Sequence, residues 1–326
     1  MAVNVVLTLA TKSEISKTQW TLNNQFAANK SFIVFPVLLP QYEIGLVWID
    51  RSTHSRKLIR VDGADLNFPS ISEDGQRLLF VKNDSSSSSR EVVRCEVNAW
   101  QCLVLFKLHE SIQSPIEIEP GNVLLAASEL TELSNGKKRY IHFHFLYFDA
   151  ATETLEKLTD LVLPSLTALR YVKPKVYFDA FVPGDGNFGI YSREFDERKK
   201  RFNDAPSREP MNSPNALSRS SRLACSEQCR LMAFLRVTGS GYDLVISTSG
   251  GVAETVKTNA QGISSPSVVG DDVIINELFE SEYAVTAYRL GGKKEVLERL
   301  PNSPKDFEAL EHIRLSFSKA DSPVYR

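Results

Sequence analysis

Apolar residues in this chain come in short runs between polar turns, and the stretch Asn67–Lys82, NFPSISEDGQRLLFVK, shows the unit most clearly. Pro69 and Ser70 open a short strand. Ser72-Glu73-Asp74-Gly75 supplies a tight turn, because an Asp side chain bonds its own backbone and Gly tolerates a positive φ. Leu78-Leu79-Phe80-Val81 then runs apolar without a break, the pattern of a strand covered on both faces. Similar runs predict strands at Ile44–Asp50, Lys57–Val61, Glu91–Val97 and Gln101–Leu108. Farther on they predict Tyr140–Phe148, then Val176–Val182 with Phe188–Phe195, Leu231–Val237 with Tyr242–Thr248, and Val273–Phe279 with Tyr283–Leu290. Gly, Asn and Asp sit beside these runs at Asn135-Gly136, Gly184-Asp185-Gly186, Gly239-Ser240-Gly241 and Gly291-Gly292, as antiparallel hairpins require. At the N-terminus Val3, Val5, Leu7 and Leu9 alternate, which predicts one more strand.

The unit repeats. In Ser114–Ser128, Pro115 precedes Gly121 by six residues, as Pro69 precedes Gly75, and the two prolines are 46 residues apart. In Leu223–Val237, Ser226 precedes Phe234 by eight, as Ser72 precedes Phe80, and Cys229 takes the place of Gly75. Weaker copies lie at Ser31–Leu39, Tyr171–Ala180 and Ser265–Glu277. The apolar ends of the copies fall at Phe35, Phe80, Leu125, Phe178, Phe234 and Ile275, with gaps of 45, 45, 53, 56 and 41 residues. A period near 40–50 with about four strands per repeat predicts a β-propeller. A blade buries its faces only against its neighbours, so the array must close into a ring. The expected fold is all-β: one domain over residues 1–326, with six blades of four antiparallel strands, and seven as the alternative count.

These motifs resemble the TolB-like, WD-like β-propeller repeats, whose signature is a Pro, then Ser-Pro-Asp-Gly or similar, then an apolar strand. Ser72-Glu73-Asp74-Gly75 comes nearest, with Glu at the second position. The resemblance covers most of the chain and implies a ring of six or seven blades, usually acting as a binding platform. Some relatives are enzyme-associated propellers, such as the lid domain of prolyl oligopeptidases.

Two segments fall outside the plain repeat. Arg198–Arg222 is rich in Pro and Ser and carries seven basic against two acidic residues, which reads as a basic insertion where the outer strand of blade four belongs. Phe307–Ser318 follows the sixth blade. It either closes the ring against the first blade, together with the N-terminal strand, or begins a partial seventh.

Composition narrows the function classes. The formal net charge of −2 over 326 residues gives no basic field for nucleic acid, so nucleic acid is disfavoured as a partner. With 42% hydrophobic and 24% charged residues, the chain can bury a sizeable core. The Val3–Ala10 run is too short to span a bilayer, and no basic leader precedes it. The expectation is a soluble protein without a membrane partner, cytoplasmic by default and periplasmic if an export signal has been removed.

Candidate chemistry is sparse. Cys95 and Cys102 flank the hairpin CEVNAWQC; a two-residue Asn98-Ala99 loop sets them directly opposite, near disulfide reach. Cys225 and Cys229 flank the blade-five turn and form a second candidate pair. Four reduced thiols are the alternative where no export signal is visible. His142 and His144 share one strand face but lack a third ligand to make a metal site. Glu73, Asp74, Asp271 and Asp272 belong to turns, whose geometry such residues ordinarily build. The chain contains no Gly-x-Ser-x-Gly elbow and no Gly-rich phosphate loop before a helix. No catalytic residue, cofactor or metal is assigned. The expected function is therefore a non-catalytic module recruiting protein partners through propeller loops, the alternative being an enzyme or small-ligand binder with its site at the central channel mouth.

Overall fold

The computed structural model describes residues 26–84, 87, 89–132, 138–158, 163, 165–182, 188–211, 219–226, 229–238, 241–249, 251, 253–318 and 323–325. The predicted N-terminal strand and the turns at residues 135–136, 184–186 and 239–240 lie outside them.

Six small antiparallel sheets form the blades. Blade one comprises Ala27–Ala28, Phe32–Leu38, Ile44–Asp50 and Arg56–Ile59; blade two comprises Ala64–Ile71, Arg77–Asp84, Arg90–Glu96 and Gln101–Leu108. Blade three comprises Ser111–Glu119, Asn122–Glu132, Lys138–Asp149 and Thr154–Lys157. Blade four is Ser165–Val172, Lys175–Phe181 and Phe188–Asp196, edged by Arg201–Phe202 and Ser207–Arg208. Blade five is Arg219–Cys225, Leu231–Thr238, Gly241–Thr248 and Ala253–Lys257. Blade six has a split first strand, Gly262–Ile263 and Ser267–Val269, then Asp272–Leu278, Glu282–Arg289 and Lys293–Pro301. The first strand of each blade touches the first strands of both neighbours around a closed circuit. These strands are the wall of a central channel, and the array is a six-bladed propeller.

The basic stretch divides between two blades. Phe202 is buried against Phe145 and Phe195 at the edge of blade four, while Arg219–Cys225 forms the channel strand of blade five.

Burial explains the period. Phe35, Phe80, Leu125, Phe178, Phe234 and Ile275 all lie on the second strand of their blades and are at most 3% exposed. Apolar side chains from adjoining blades form a separate cluster at each of the six seams. At ~25 cal/mol per Å² of apolar surface removed from water, these seams supply most of the cohesion that isolated four-stranded sheets lack.

The turn pattern is also physical. In blade two the Ser72 amide donates to the Arg77 carbonyl at 3.0 Å and the Gly75 amide to the Ser72 carbonyl at 3.0 Å; the Arg77 amide donates to Ser72 Oγ at 2.9 Å. Blade five repeats all three bonds with Ser226, Leu231 and Cys229. Gly75 has φ 73° and Cys229 φ 49°, so a cysteine occupies a left-handed position that costs a side chain about 1–2 kcal/mol.

The seam between blades six and one is crossed by no shared strand among the described residues. Arg56, on the outer strand of blade one, donates to Glu298 on the outer strand of blade six at 2.5 and 3.1 Å, and His54 Nδ1 lies 2.5 Å from the same carboxylate. Beyond Pro301 a short helix, Pro304–Glu308, plants Phe307 against Tyr283 in this seam, and Phe307 is 2% exposed. Glu311–Ile313 then adds to blade one as a parallel fifth strand, with Ile313 in the seam between blades one and two. Ser316–Phe317 and Val324–Tyr325 add in parallel to the outer strand of blade two, and Tyr325 reaches the seam with blade three. The C-terminal segment is thus an external strap over three seams and contributes to no seventh blade.

Phe307→Ala is expected to lower stability by about 3 kcal/mol or more, read as a reduced urea midpoint with little change in slope. Val324→Ala, at a site 56% exposed on the same strap, should stay within about 0.5 kcal/mol.

Candidate functional site at the channel mouth

Five of the six channel strands carry an irregularity. Pairing with the second strand breaks between Asn67 and Ser70, between Gln113 and Ile116, between Thr167 and Arg170, and between Ser221 and Ala224. Inside each break one residue turns left-handed: Phe68 at φ 51°, Ser114 at 45°, Ala168 at 54° and Arg222 at 57°. These are β-bulges, which re-aim the following side chains and sharpen the local twist. In blade six the break is complete. Ser264 interrupts the strand, bonding through its amide to the Asn276 carbonyl and through its hydroxyl to the Asn276 amide.

Beyond the bulges the six strands converge on a cavity of about 240 Å³ at one end of the channel. Ala28, Ser70, Glu117, Arg170, Ala224 and Ser267 each contribute to its wall, one from every blade. Two of these side chains are charged. Glu117 is engaged: it accepts from Arg77 Nε at 2.8 Å and from the Gly121 amide at 2.7 Å. That amide sits at φ 88°, and a side chain at 121 would meet Ala150 Cβ at 2.7 Å, so glycine is required there. Arg170 is not engaged in this way. Among the described residues its guanidinium makes one hydrogen bond, from Nη1 to the carbonyl of its neighbour Leu169 at 3.1 Å. Burial in the channel pulls its pKa down, and the Asp179 charge only partly offsets this. Both Asp179 carboxylate oxygens accept from the Arg222 amide, at 2.9 and 2.8 Å. Tyr171, beside Arg170, donates its hydroxyl to Glu197; burial and that carboxylate raise its pKa. The mouth therefore presents one under-partnered cation among groups already spent on the fold.

A larger groove of about 850 Å³ runs along the outer wall under the strap, lined by Arg60, Asp62, Glu311, His312, Arg314 and Phe317 among others. Arg60 there is matched by Asp62, Glu308 and Glu43 at 3.0–3.3 Å. Its charges hold the strap to blade one, and the channel mouth is the better candidate site.

The residues singled out from sequence fall elsewhere, apart from Cys225. Cys95 lies opposite Cys102 in the ladder, with Cα atoms 4.0 Å apart and the sulfurs bonded. Cys225, on the cavity wall, is joined to Cys229 across the blade-five turn, with Cα atoms 4.8 Å apart. His144 is buried, and its Nε2 lies 3.0 Å from a Glu110 carboxylate oxygen; the side chain of His142 lies outside the described residues. Asp74 builds its turn by accepting from Ser72 Oγ at 2.5 Å and the Gln76 amide at 3.0 Å, and these bonds hold its pKa below the usual carboxylate value. Asp272 is paired with Arg289. Arg170 and Asp179 were missed, because a bulge upsets the two-residue alternation that marks a face. The signal that finds them is positional: Asp179 follows the apolar anchor Phe178 by one residue, where Val81, Ala126 and Leu235 follow theirs.

No family model matches the chain, and no curated protein matches it. Solved structures do, at identities that establish the fold alone. TolB from Acinetobacter baumannii aligns at 15% identity and TM-score 0.62 over 83% of this chain and 63% of its own. Hydrazine synthase from Kuenenia stuttgartiensis aligns at 13% and 0.64, over 83% and 45%. Acylaminoacyl peptidase from Pyrococcus horikoshii aligns at 10% and 0.55, over 86% and 53%. The chain thus spans roughly half to two thirds of these proteins' length. The expectation of a non-catalytic interaction module is corrected by this comparison, since two of these three structural neighbours are enzymes. Among the described residues no helix is long and apolar enough to cross a membrane.

Unfolded without reductant, the protein should show no titratable thiol. Cys102→Ala should cost about 2–3 kcal/mol, from a closed loop of a few residues, measured by chemical denaturation with and without reductant.

Proposed function

We propose that this chain is the propeller of an enzyme system and that it holds a small ligand at the mouth of its central channel. The observation that carries the reading is the convergence of all six channel strands on one cavity that contains an under-partnered Arg170. Arg170 is half-buried, and a guanidinium whose N–H donors the fold leaves over can give them to a bound anion in charge-assisted bonds; charged groups of this kind gather where ligands bind. The similarity to hydrazine synthase and to acylaminoacyl peptidase supports an enzymatic setting by analogy of fold. The turn Ser72-Glu73-Asp74-Gly75 supports placement among TolB-like, WD-like propeller repeats, and the two cysteine pairs support an oxidising compartment.

The cavity, at about 240 Å³, lies below the ~300–1,000 Å³ usual for ligand pockets. It suits a small molecule or the end of a peptide, not a folded surface. Gly-Gly-Phe amide serves as probe, since a peptidase stands among the structural neighbours. Saturation-transfer NMR should show transfer to its phenyl ring with the native protein, and none with Ser70→Trp, which fills the mouth. Absence of transfer in the native protein, or undiminished transfer in a folded Ser70→Trp variant, overturns the reading.

A further inference from the structure

We infer that the channel mouth recognises a carboxylate, held by the Arg170 guanidinium, and that the ligand is the free C-terminal end of a short peptide. The inference rests on the ligand reading above and names the chemistry of the same site.

It follows from the charge inventory of the wall. The acid at the mouth, Glu117, is already neutralised by Arg77 at 2.8 Å, with Arg94 Nη1 a further 3.8 Å from its other oxygen. The acid deeper in the wall, Asp179, spends both oxygens on the Arg222 amide. Arg170 carries five N–H donors in a planar fork, and among the described residues one of them is used, on a carbonyl of its own strand. The Arg222 amide is neutral, so the Asp179 charge offsets that of Arg170 at a distance; what the wall offers is an arginine fork without a carboxylate bonded to it among the described residues. A carboxylate fills such a fork with two parallel charge-assisted bonds, a geometry that an ammonium donor could not offer and an amide cannot match. The polar rim offers further hydrogen bonding from the hydroxyls of Ser70 and Ser267. Ala28, Ile71 and Ala224 give the apolar contact. A chain end fits this combination of small volume, one charge and mixed lining.

Calorimetric titration of the full chain with Gly-Gly-Phe and with Gly-Gly-Phe amide separates the two ideas. The acid should bind about tenfold more tightly than the amide, the scale of one charge-assisted hydrogen bond. Added salt should weaken the acid and leave the amide nearly unchanged. Arg170→Met should erase the difference while amide binding persists, and Arg170→Lys should keep part of it. Arg60→Met, in the outer groove, should change neither. Equal binding of acid and amide by the native protein, with the amide still sensitive to Ser70→Trp, overturns the carboxylate assignment and leaves the channel site standing. An acid preference that survives in folded Arg170→Met also overturns it. Failure of both peptides to bind overturns both readings. Inorganic phosphate competing with the amide as well as with the acid would show a general anion site, and that too overturns the peptide-terminus assignment.

Discussion

Every blade of this molecule is a sheet with two apolar faces, and neither can be left in water. That constraint forces the ring. The six seams bury Phe35, Phe80, Leu125, Phe178, Phe234 and Ile275 on equivalent strands, and no blade is self-sufficient. Five seams join blades that follow one another in the chain. The sixth, between blades six and one, lacks that help. It is held by Glu298 with Arg56 and His54, by Tyr283 packed on Phe35, and by Phe307. The strap that carries Phe307 then continues across two further seams. A segment of little regular structure thus does what a shared strand does in a propeller whose ends interlock.

The same closure creates the channel and sets its chemistry. Six strands meeting at a centre cannot all stay regular, and the bulges absorb the misfit. Each bulge places one non-glycine residue in the left-handed region, at a cost of roughly 1–3 kcal/mol, and breaks the ladder. Among the described residues, Asn67 Oδ1 and Ser265 Oγ are buried without a partner. Backbone strain gathered on the channel strands is the kind of local departure that functional sites leave in a fold otherwise consistent.

How far the sequence shows this depends on the interaction concerned. The second strands were legible because their apolar runs are dictated by seam burial, which acts alike on every blade. The Ser72–Gly75 turn, and its copy at Ser226–Cys229, were legible because one hydroxyl and one positive φ satisfy the same bonds in both. The register of Cys95 against Cys102 followed from hairpin length alone. The strap was not legible as an outer addition, since two or three residues of parallel pairing leave no periodic trace. The basic stretch looked like an insertion because its charges hide Phe202 and the channel strand Arg219–Cys225. Arg170 was invisible for a related reason: in SLTALRYV the bulge at Ala168 shifts the alternation, and an arginine after it reads as surface.

A structural role for Arg170 would leave a mark in its surroundings. Arginines that serve the fold here are matched: Arg77 by Glu117, Arg56 by Glu298, Arg60 by three acids. Each spans two blades or fastens the strap. Among the described residues Arg170 bridges no two elements, and its hydrogen bond returns to its own strand. Asp179, the acid whose charge it feels, is turned to the Arg222 amide of the next blade. Replacing Arg170 by an apolar residue of similar length would cost the fold little by this inventory. A half-buried arginine at the channel mouth that fastens no neighbouring element among the described residues is free to meet something from outside.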